Sequence, residues 1–177
     1  MKTRLLFIAA IALALSSCKN LVPFTDAMKT KHKWGDEQIK RIQFYVSRDI
    51  VLQHELTSGS TNIVRGVIKT LGGKKIEEIL IREGTPGVVT QIPKEKKLLV
   101  SFEMGDNYTL SFGVNPSLGE KYVLLASDWS NGVGKVHYGG DEFWTDPDSK
   151  YACLLVDIRK IEKMELKQRV ASGRKVN

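Results

Sequence analysis

Apolar and polar side chains alternate with a period of two along most of the chain from residue 50 onward. This pattern is typical of strands that bury one face and expose the other. It is clearest in 98–103 and 108–113, which a turn-forming segment separates, and the two segments therefore predict a β-hairpin. The other predicted strands are 50–56, 62–69, 76–81, 88–92, 122–127, 135–138, 142–145 and 152–157.

The spacing of these strands indicates the fold class. They recur about every ten residues, with glycine-containing turns such as 130–132 and 139–141 between them. Strands at this spacing favour all-β architectures over alternating strands and helices. We therefore predict a mainly β domain, a small antiparallel barrel or sandwich.

One stretch has the period of a helix instead. Ile39, Ile42 and Val46 recur at helical spacing, which gives one apolar stripe. Asp36 lies in the first turn and basic residues follow, which suits the helix dipole. This predicts a single N-terminal helix at about 36–47.

The last segment, 158–170, allows two interpretations. Met164, Leu166 and Val170 alternate as in a strand, whereas Ile158 and Ile161 also fit a helical stripe. We interpret the segment as a strand, with a helix as the alternative.

Part of the predicted sheet resembles a known fold family. The segments GTPGVV at 84–89, LLVSFE at 98–103 and LSF at 110–112 are similar to the opening strands of SH3-like barrels. The resemblance covers residues 84–112 and implies a small barrel.

The N-terminus has the organisation of an export signal. A short basic segment precedes eleven apolar residues at 5–15. That run is shorter than the roughly 20 residues of a membrane-spanning helix and suits a secretory signal of about 7–15 apolar residues. The following Leu15-Ser16-Ser17-Cys18 resembles the lipobox of bacterial lipoproteins. An ordinary signal peptide with a chance cysteine is the alternative.

The lipoprotein resemblance implies processing and location. In that family the signal peptide is cut before the cysteine, which carries diacylglycerol and an amide-linked acyl chain such as palmitate. Lys19 is not the aspartate that holds some lipoproteins in the inner membrane, so the expected location is the outer membrane, facing the periplasm.

The expected organisation is a signal peptide at 1–17, a lipid-anchored tether at 18–35 and one β-rich domain at 36–177. The tether shows no sustained period, and extended it would span up to about 55 Å. Its apolar residues are numerous enough to dock partly on the domain.

Charge is concentrated at the two ends of the mature chain. The whole sequence carries 27 Lys and Arg against 20 Asp and Glu, a formal charge of +7. A basic protein raises nucleic acid as a partner, but an exported protein does not meet it. The basic ends, at 19–48 and 157–177, instead suggest attraction to anionic lipid headgroups, with simple solvated charge as the alternative.

Few residues suggest catalysis. His137 lies beside a glycine turn with Asp141 and Glu142, so it is a candidate base for a hydrolase of envelope polymers. The alternative is a hairpin with a polar outer face. Cys153 sits in an apolar run that predicts a buried, unreactive thiol. We predict no metal site and no cofactor.

Four aromatic residues flank glycine-rich turns and are candidates for a binding rim, with core packing as the alternative. They are Trp129, Tyr138, Phe143 and Trp144.

Taken together, the sequence predicts an outer-membrane lipoprotein that acts as a non-enzymatic accessory or binding module. Its partners would be the membrane, through the anchor at Cys18, and an envelope protein or polymer, but not nucleic acid. A carrier of an apolar ligand such as a lipid is one alternative. A hydrolase that uses His137 is another.

Overall fold

The computed structural model describes residues 20–56, 66–105 and 107–168 of this chain. These residues form two antiparallel sheets packed like a sandwich, which confirms the predicted mainly β fold class. The predicted signal peptide 1–17, the anchor Cys18 and the end of the basic tail, 169–177, lie outside the described residues.

The strands are short and mostly lie where the alternating pattern placed them. They are β1 (Leu21–Pro23), β2 (Phe44–Val46), β3 (Ile50–Glu55), β4 (Val67–Leu71), β5 (Lys74–Ile81), β6 (Pro86–Lys94), β7 (Lys97–Ser101), β8 (Thr109–Asn115), β9 (Lys121–Leu125), β10 (Ser127–Ser130), β11 (Val133–Tyr138), β12 (Asp141–Thr145) and β13 (Leu154–Asp157). The helices are α1 (Asp26–Lys31), α2 (Asp36–Lys40) and α3 (Ile158–Gln168). None of the described helices is long and apolar enough to cross a membrane.

The strand order places residues distant in sequence side by side. The seven-stranded sheet runs β1-β13-β2-β6-β7-β8-β9, and the six-stranded sheet runs β10-β11-β12-β3-β5-β4. The predicted hairpin is the β7–β8 pair. Asn131 and Gly132 both have positive φ, 51° and 84°, in the turn between β10 and β11, as a tight hairpin turn requires.

The seven-stranded sheet curls until its two ends meet. The backbone N–H of Tyr122 donates to the carbonyl of Phe24 at 3.2 Å, and that of Leu124 donates to Ala152 at 2.8 Å. Isolated bridges, rather than a continuous ladder, make this junction, so the sheet is not a closed barrel. The space between the sheets is filled by side chains that are fully buried, among them Phe24, Phe44, Leu52, Phe112, Tyr122 and Phe143.

The expected tether is part of the folded domain, which corrects the predicted boundary at residue 36. Leu21–Pro23 pairs with β13 as the edge strand β1. Phe24 is completely buried, and its ring lies 5.1 Å from that of Phe44 and 6.2 Å from that of Trp34. Burying a large aromatic side chain stabilises the docked segment, so it does not stay in solvent.

The predicted helix at 36–47 is too long. Helix α2 ends at Lys40, and the chain then enters strand β2. Strand β2 lies between β13 and β6, and all three of its residues are buried. Pairing on both sides and burial of Phe44 and Val46 outweigh the local helical spacing. Ile39 and Ile42 are buried, as the apolar stripe predicted.

The interpretation of 158–170 as a strand is wrong for its described part, which forms helix α3. The Asp157 carboxylate accepts a hydrogen bond from the backbone N–H of Arg159 at 3.1 Å, which satisfies one of the first N–H groups of the helix. Ile161 is buried and Met164 is half-buried, so the residues at helical spacing face the domain.

Candidate binding surfaces

The aromatic residues near the turns do not form one accessible rim. Tyr138 and Phe143 are fully buried, so a ligand does not reach them, and their predicted binding role is wrong. Tyr138 instead fixes a loop, because its hydroxyl donates to Oε1 of Glu103 at 2.8 Å. Both residues belong to the core because they lie on the inner face of the β11–β12 hairpin.

The two tryptophans remain half-exposed but lie on opposite faces of that hairpin. Trp144 is opposite Lys135, and the Lys135 Nζ lies 4.8 Å from the centre of the indole. Trp129 instead rests on Gly134, where an added Cβ would meet its ring at 2.7 Å. Successive residues of a strand face opposite sides, so a single ligand does not stack on both rings.

His137 and the neighbouring acids are only partly brought together. His137 is directly opposite Glu142, so the two side chains share the outer face. The Glu142 carboxylate, however, forms an ion pair with Lys135 at 3.1 Å. Asp141 is opposite Tyr138 and therefore lies on the other face from His137. This arrangement favours the polar-hairpin interpretation, and the hydrolase stays a prediction.

A cleft of about 560 Å³ opens between strands β7–β9 and strand β11. Leu99 and Leu125 form apolar parts of its wall, and Lys97 and Lys135 supply positive charge. Hydroxyl groups, His137 and three further apolar residues complete the lining. Such a surface suits an extended polar ligand, a peptide or a sugar polymer, that carries some negative charge. Of these residues the sequence indicated only His137, because the others come from separate strands.

A second groove, of about 300 Å³, lies between helix α3 and the connection from α2 to β2. Its apolar wall includes Ile42 and Ile161, which are 5% and 3% exposed, and half-buried Met164. Exposed cationic side chains, Arg41, Lys160 and Lys163, surround it. The sequence showed the charge but not the groove, because residues 41 and 160 are far apart along the chain.

The chain enters the domain beside this groove. The carbonyl of Asn20 accepts a hydrogen bond from the backbone N–H of Ile158, the first residue of α3, at 3.3 Å. Leu21 then pairs with Asp157. The residue that follows Lys19 is therefore held against the beginning of the basic helix.

A cluster that the sequence analysis missed holds helix α1 at the other end of the sandwich. The Asp26 carboxylate forms an ion pair with Lys96 at 2.9 Å and accepts a hydrogen bond from the Tyr122 hydroxyl at 3.5 Å. The hydrogen bond to Asp26 raises the pKa of Lys96. Burial, together with the Asp26 charge, raises the pKa of Tyr122. These three side chains have a structural role, because they connect α1 with β9 and with the β6–β7 turn.

No protein-family model, curated protein or solved structure matches this chain. The SH3-like resemblance of residues 84–112 therefore stays a prediction, as does the lipoprotein resemblance of residues 1–18. Among the described residues, no group of three or more His, Cys, Asp and Glu side chains is arranged to hold a metal ion.

The interior offers little support for a carrier of apolar ligands. The described space between the sheets contains the rings of Phe24, Phe44, Phe112 and Phe143, all fully buried. A small β-domain filled in this way has side chains where a carrier has its ligand. The cleft and the groove both lie at the surface, which favours binding from outside.

Proposed function

We propose that this chain is a lipoprotein of the bacterial outer membrane, anchored through acylated Cys18, and that its β-sandwich is a non-enzymatic binding module facing the periplasm. The observation that carries the proposal is the hydrogen bond between Asn20 and Ile158. Strand β1 begins at Leu21, three residues after the predicted lipid-bearing cysteine, so the folded domain lies close to the point where the mature chain of a lipoprotein would start.

This geometry makes the connection to the bilayer short. Three residue steps separate Cys18 from Leu21, the first residue of strand β1. At about 3.3–3.6 Å per residue they span about 10 Å, instead of the roughly 55 Å of a free tether. The domain would thus work directly at the membrane surface.

Lipid attachment would hold the domain there permanently. Each buried methylene contributes about 0.8 kcal/mol, and one acyl chain gives only marginal binding, whereas two or three hold a protein firmly. Diacylglycerol and an amide-linked chain on Cys18 would supply three.

The cleft between β7–β9 and β11 is the surface that we assign to the partner. Its lysines, hydroxyl groups and leucines suit an envelope protein segment or a charged polymer. Trp144 lies on the outer face of the same hairpin as Lys135 and adds a half-exposed aromatic ring.

The anchor is tested by metabolic labelling with an alkyne analogue of palmitate, followed by flotation of membranes. We expect label on the unaltered chain and on Cys153→Ala, and no label and no membrane retention for Cys18→Ala. Cys153→Ala is the matched control because it removes the other cysteine of the chain. Labelling of the Cys18→Ala variant, or an unlabelled native chain, would contradict the proposal.

The binding role is tested by brief crosslinking in cells, mild detergent extraction and affinity isolation. We expect one stoichiometric envelope partner, which is lost from the Lys97→Gln/Lys135→Gln variant. The control, Lys31→Gln/Lys75→Gln, removes two exposed lysines that do not line the cleft and should keep the partner. Isolation of the protein alone would argue against a binding module.

A further inference from the structure

The groove beside helix α3 lies next to the point where the anchor would leave the domain. Val156 of strand β13 pairs with Val22 of β1 on one side and with Phe44 of β2 on the other. Adjacent strands are about 4.8 Å apart, so the chain entering at Asn20 and the chain leaving the groove at Gln43 are about 10 Å apart. An anchor at Cys18 would therefore place the groove at the level of the lipid headgroups.

The groove combines positive charge with an apolar wall. Arg41, Lys160 and Lys163 are exposed around it, while Ile42 and Ile161 are buried beneath them. Lys160 also donates to the Tyr45 hydroxyl at 3.4 Å. Arg41 and Lys163 form no ion pair with any acidic side chain in the described part of the chain.

One carboxylate lies in the groove, but its charge is already balanced. Asp157 is 4% exposed and accepts a hydrogen bond from the Arg159 backbone N–H at 3.1 Å. The Arg159 guanidinium lies 3.5 Å from the same carboxylate oxygen. The three cations around the groove are therefore left to attract an anion from outside.

The same end of the sandwich exposes a further apolar side chain. Met104 follows strand β7 and is 90% exposed. At the end of β7, Ser101 pairs with Val88. The neighbouring residue Gly87 pairs with Phe44, which directly follows the groove. The loop that contains Met104 and the groove therefore lie at the same end of the sheet. A large exposed apolar side chain at this end suits contact with a lipid surface.

We propose that this groove binds the phosphate headgroup of an anionic phospholipid in the membrane that holds the anchor. Arginine presents several N–H donors to a phosphate, and lysines near a bilayer are attracted by its negative surface. A groove of about 300 Å³ accommodates a headgroup with the first methylenes of its chains, rather than a whole lipid. The inference rests on the proposed anchoring.

Charge argues against the protein's own tail as the occupant. Residues 169–177 contain Arg169, Arg174 and Lys175 and no acidic residue. Such a segment would be repelled by the cations around the groove. A phospholipid phosphate carries the complementary charge.

The test uses the full chain in living cells with photo-reactive methionine in place of methionine. Met164 lies in the groove, whereas Met28 lies in α1 at the opposite end of the sandwich and serves as an internal control. After irradiation, peptide mapping by mass spectrometry identifies the adducts. We expect phospholipid on Met164 and none on Met28, with anionic lipids enriched over their share in the membrane.

A pair of charge variants isolates the contribution of the cations. Arg41→Gln/Lys163→Gln should lower the yield of anionic lipid on Met164 by about tenfold, because each basic residue near the surface adds to the attraction. Arg82→Gln/Lys94→Gln removes the same residue types outside the groove and should leave the yield unchanged.

The outcomes separate this inference from the proposed function. Palmitate label on Cys18 without lipid on Met164 would overturn the headgroup site and leave the anchor standing. Lipid adducts on Met164 that match the bulk membrane composition would also overturn the headgroup site. Equal yields of anionic lipid from the two double variants, or a protein adduct on Met164, would overturn it as well. Absence of label on Cys18 would overturn the proposed function and, with it, this inference.

Discussion

The ring of Phe24 lies 4.9 Å from the ring of Tyr122, tilted by 33°, inside the sandwich. This contact joins the segment after β1 to strand β9, the far edge of the seven-stranded sheet. The backbone hydrogen bond from Tyr122 to Phe24 runs beside it. The residues that follow the predicted lipid anchor thus help to close the sheet.

Replacing Phe24 tests whether this segment is part of the fold. We expect Phe24→Ala to lower the free energy of unfolding by about 3–5 kcal/mol, because it leaves a cavity among packed aromatic rings. Denaturant unfolding followed by circular dichroism measures the change. Met104→Ala removes a side chain that is 90% exposed and should change stability by less than about 0.5 kcal/mol. If Phe24→Ala lowered the free energy of unfolding as little as Met104→Ala does, residues 20–25 would not contribute to the core.

Thiol counting gives a second test of the anchor. The chain has two cysteines, and Cys153 is 6% exposed. If Cys18 carries diacylglycerol through its sulfur, the native protein should show almost no reactive thiol and the denatured protein one. Titration with a thiol reagent before and after adding denaturant measures both numbers. A thiol that reacts rapidly in the native protein and is lost in Cys18→Ser would show an unmodified Cys18.

An ion pair on the six-stranded sheet should make stability depend on acid pH. Hydrogen bonds from Lys69 and from Gln53 lower the pKa of Glu78 below its ordinary value of 4.5. The native state therefore binds a proton on Glu78 less readily than the unfolded state. The resulting stability is present above pH 4.5 and is lost as pH falls through the lower, folded-state pKa.

Glu78→Gln should remove this pH dependence at a cost of less than about 1 kcal/mol at neutral pH, because the pair is partly solvated. The free energy of unfolding is measured for both proteins between about pH 3 and pH 7. The difference in this free energy between the variant and the native chain should shrink toward pH 3. Lys69→Gln should have a similar effect, and the double variant should lose no more than the sum of the two single losses. A difference in the free energy of unfolding that stays constant across this pH range would contradict the lowered pKa of Glu78.

The hydrolase and the binding module differ in what they require of His137. We expect His137→Gln to complement a null mutant fully, because glutamine keeps a polar side chain in the lining of the cleft but cannot act as a base. Cys18→Ala should fail in the same assay. Loss of complementation by His137→Gln, with normal amounts of membrane-bound protein, would favour the hydrolase.

Local pattern predicted much of the sheet. The sequence predicts strands β7 and β8 because apolar residues recur at every second position, and the structure buries Leu98, Val100, Leu110 and Phe112. The Asn131-Gly132 turn was identified because these residues adopt positive φ easily. Strand β10 was not predicted, since its four residues are all exposed and it pairs irregularly with β11.

The candidate binding residues were harder to predict because burial depends on partners elsewhere in the chain. Tyr138 and Trp144 both flank glycine turns, yet one is fully buried and the other is 43% exposed. Their places on opposite faces of the hairpin decide this. Neither the cleft nor the groove has a local signature, because each is assembled from separate strands and helices.

The sequence by itself determined the periods, the turns and the anchor pattern at Cys18, because each depends on residues that are close together in the chain. Tertiary structure decided that 44–46 is a strand despite its helical spacing, that 158–168 is a helix despite its alternation, and that 20–25 belongs to the core. Helix 158–168 is stabilised by the burial of Ile161 and Met164 at helical spacing, and for 44–46 and 20–25 the physical reason is the same. Strand pairing and aromatic burial come from partners distant in sequence, and their contribution exceeds local preferences of a few tenths of a kcal/mol per residue.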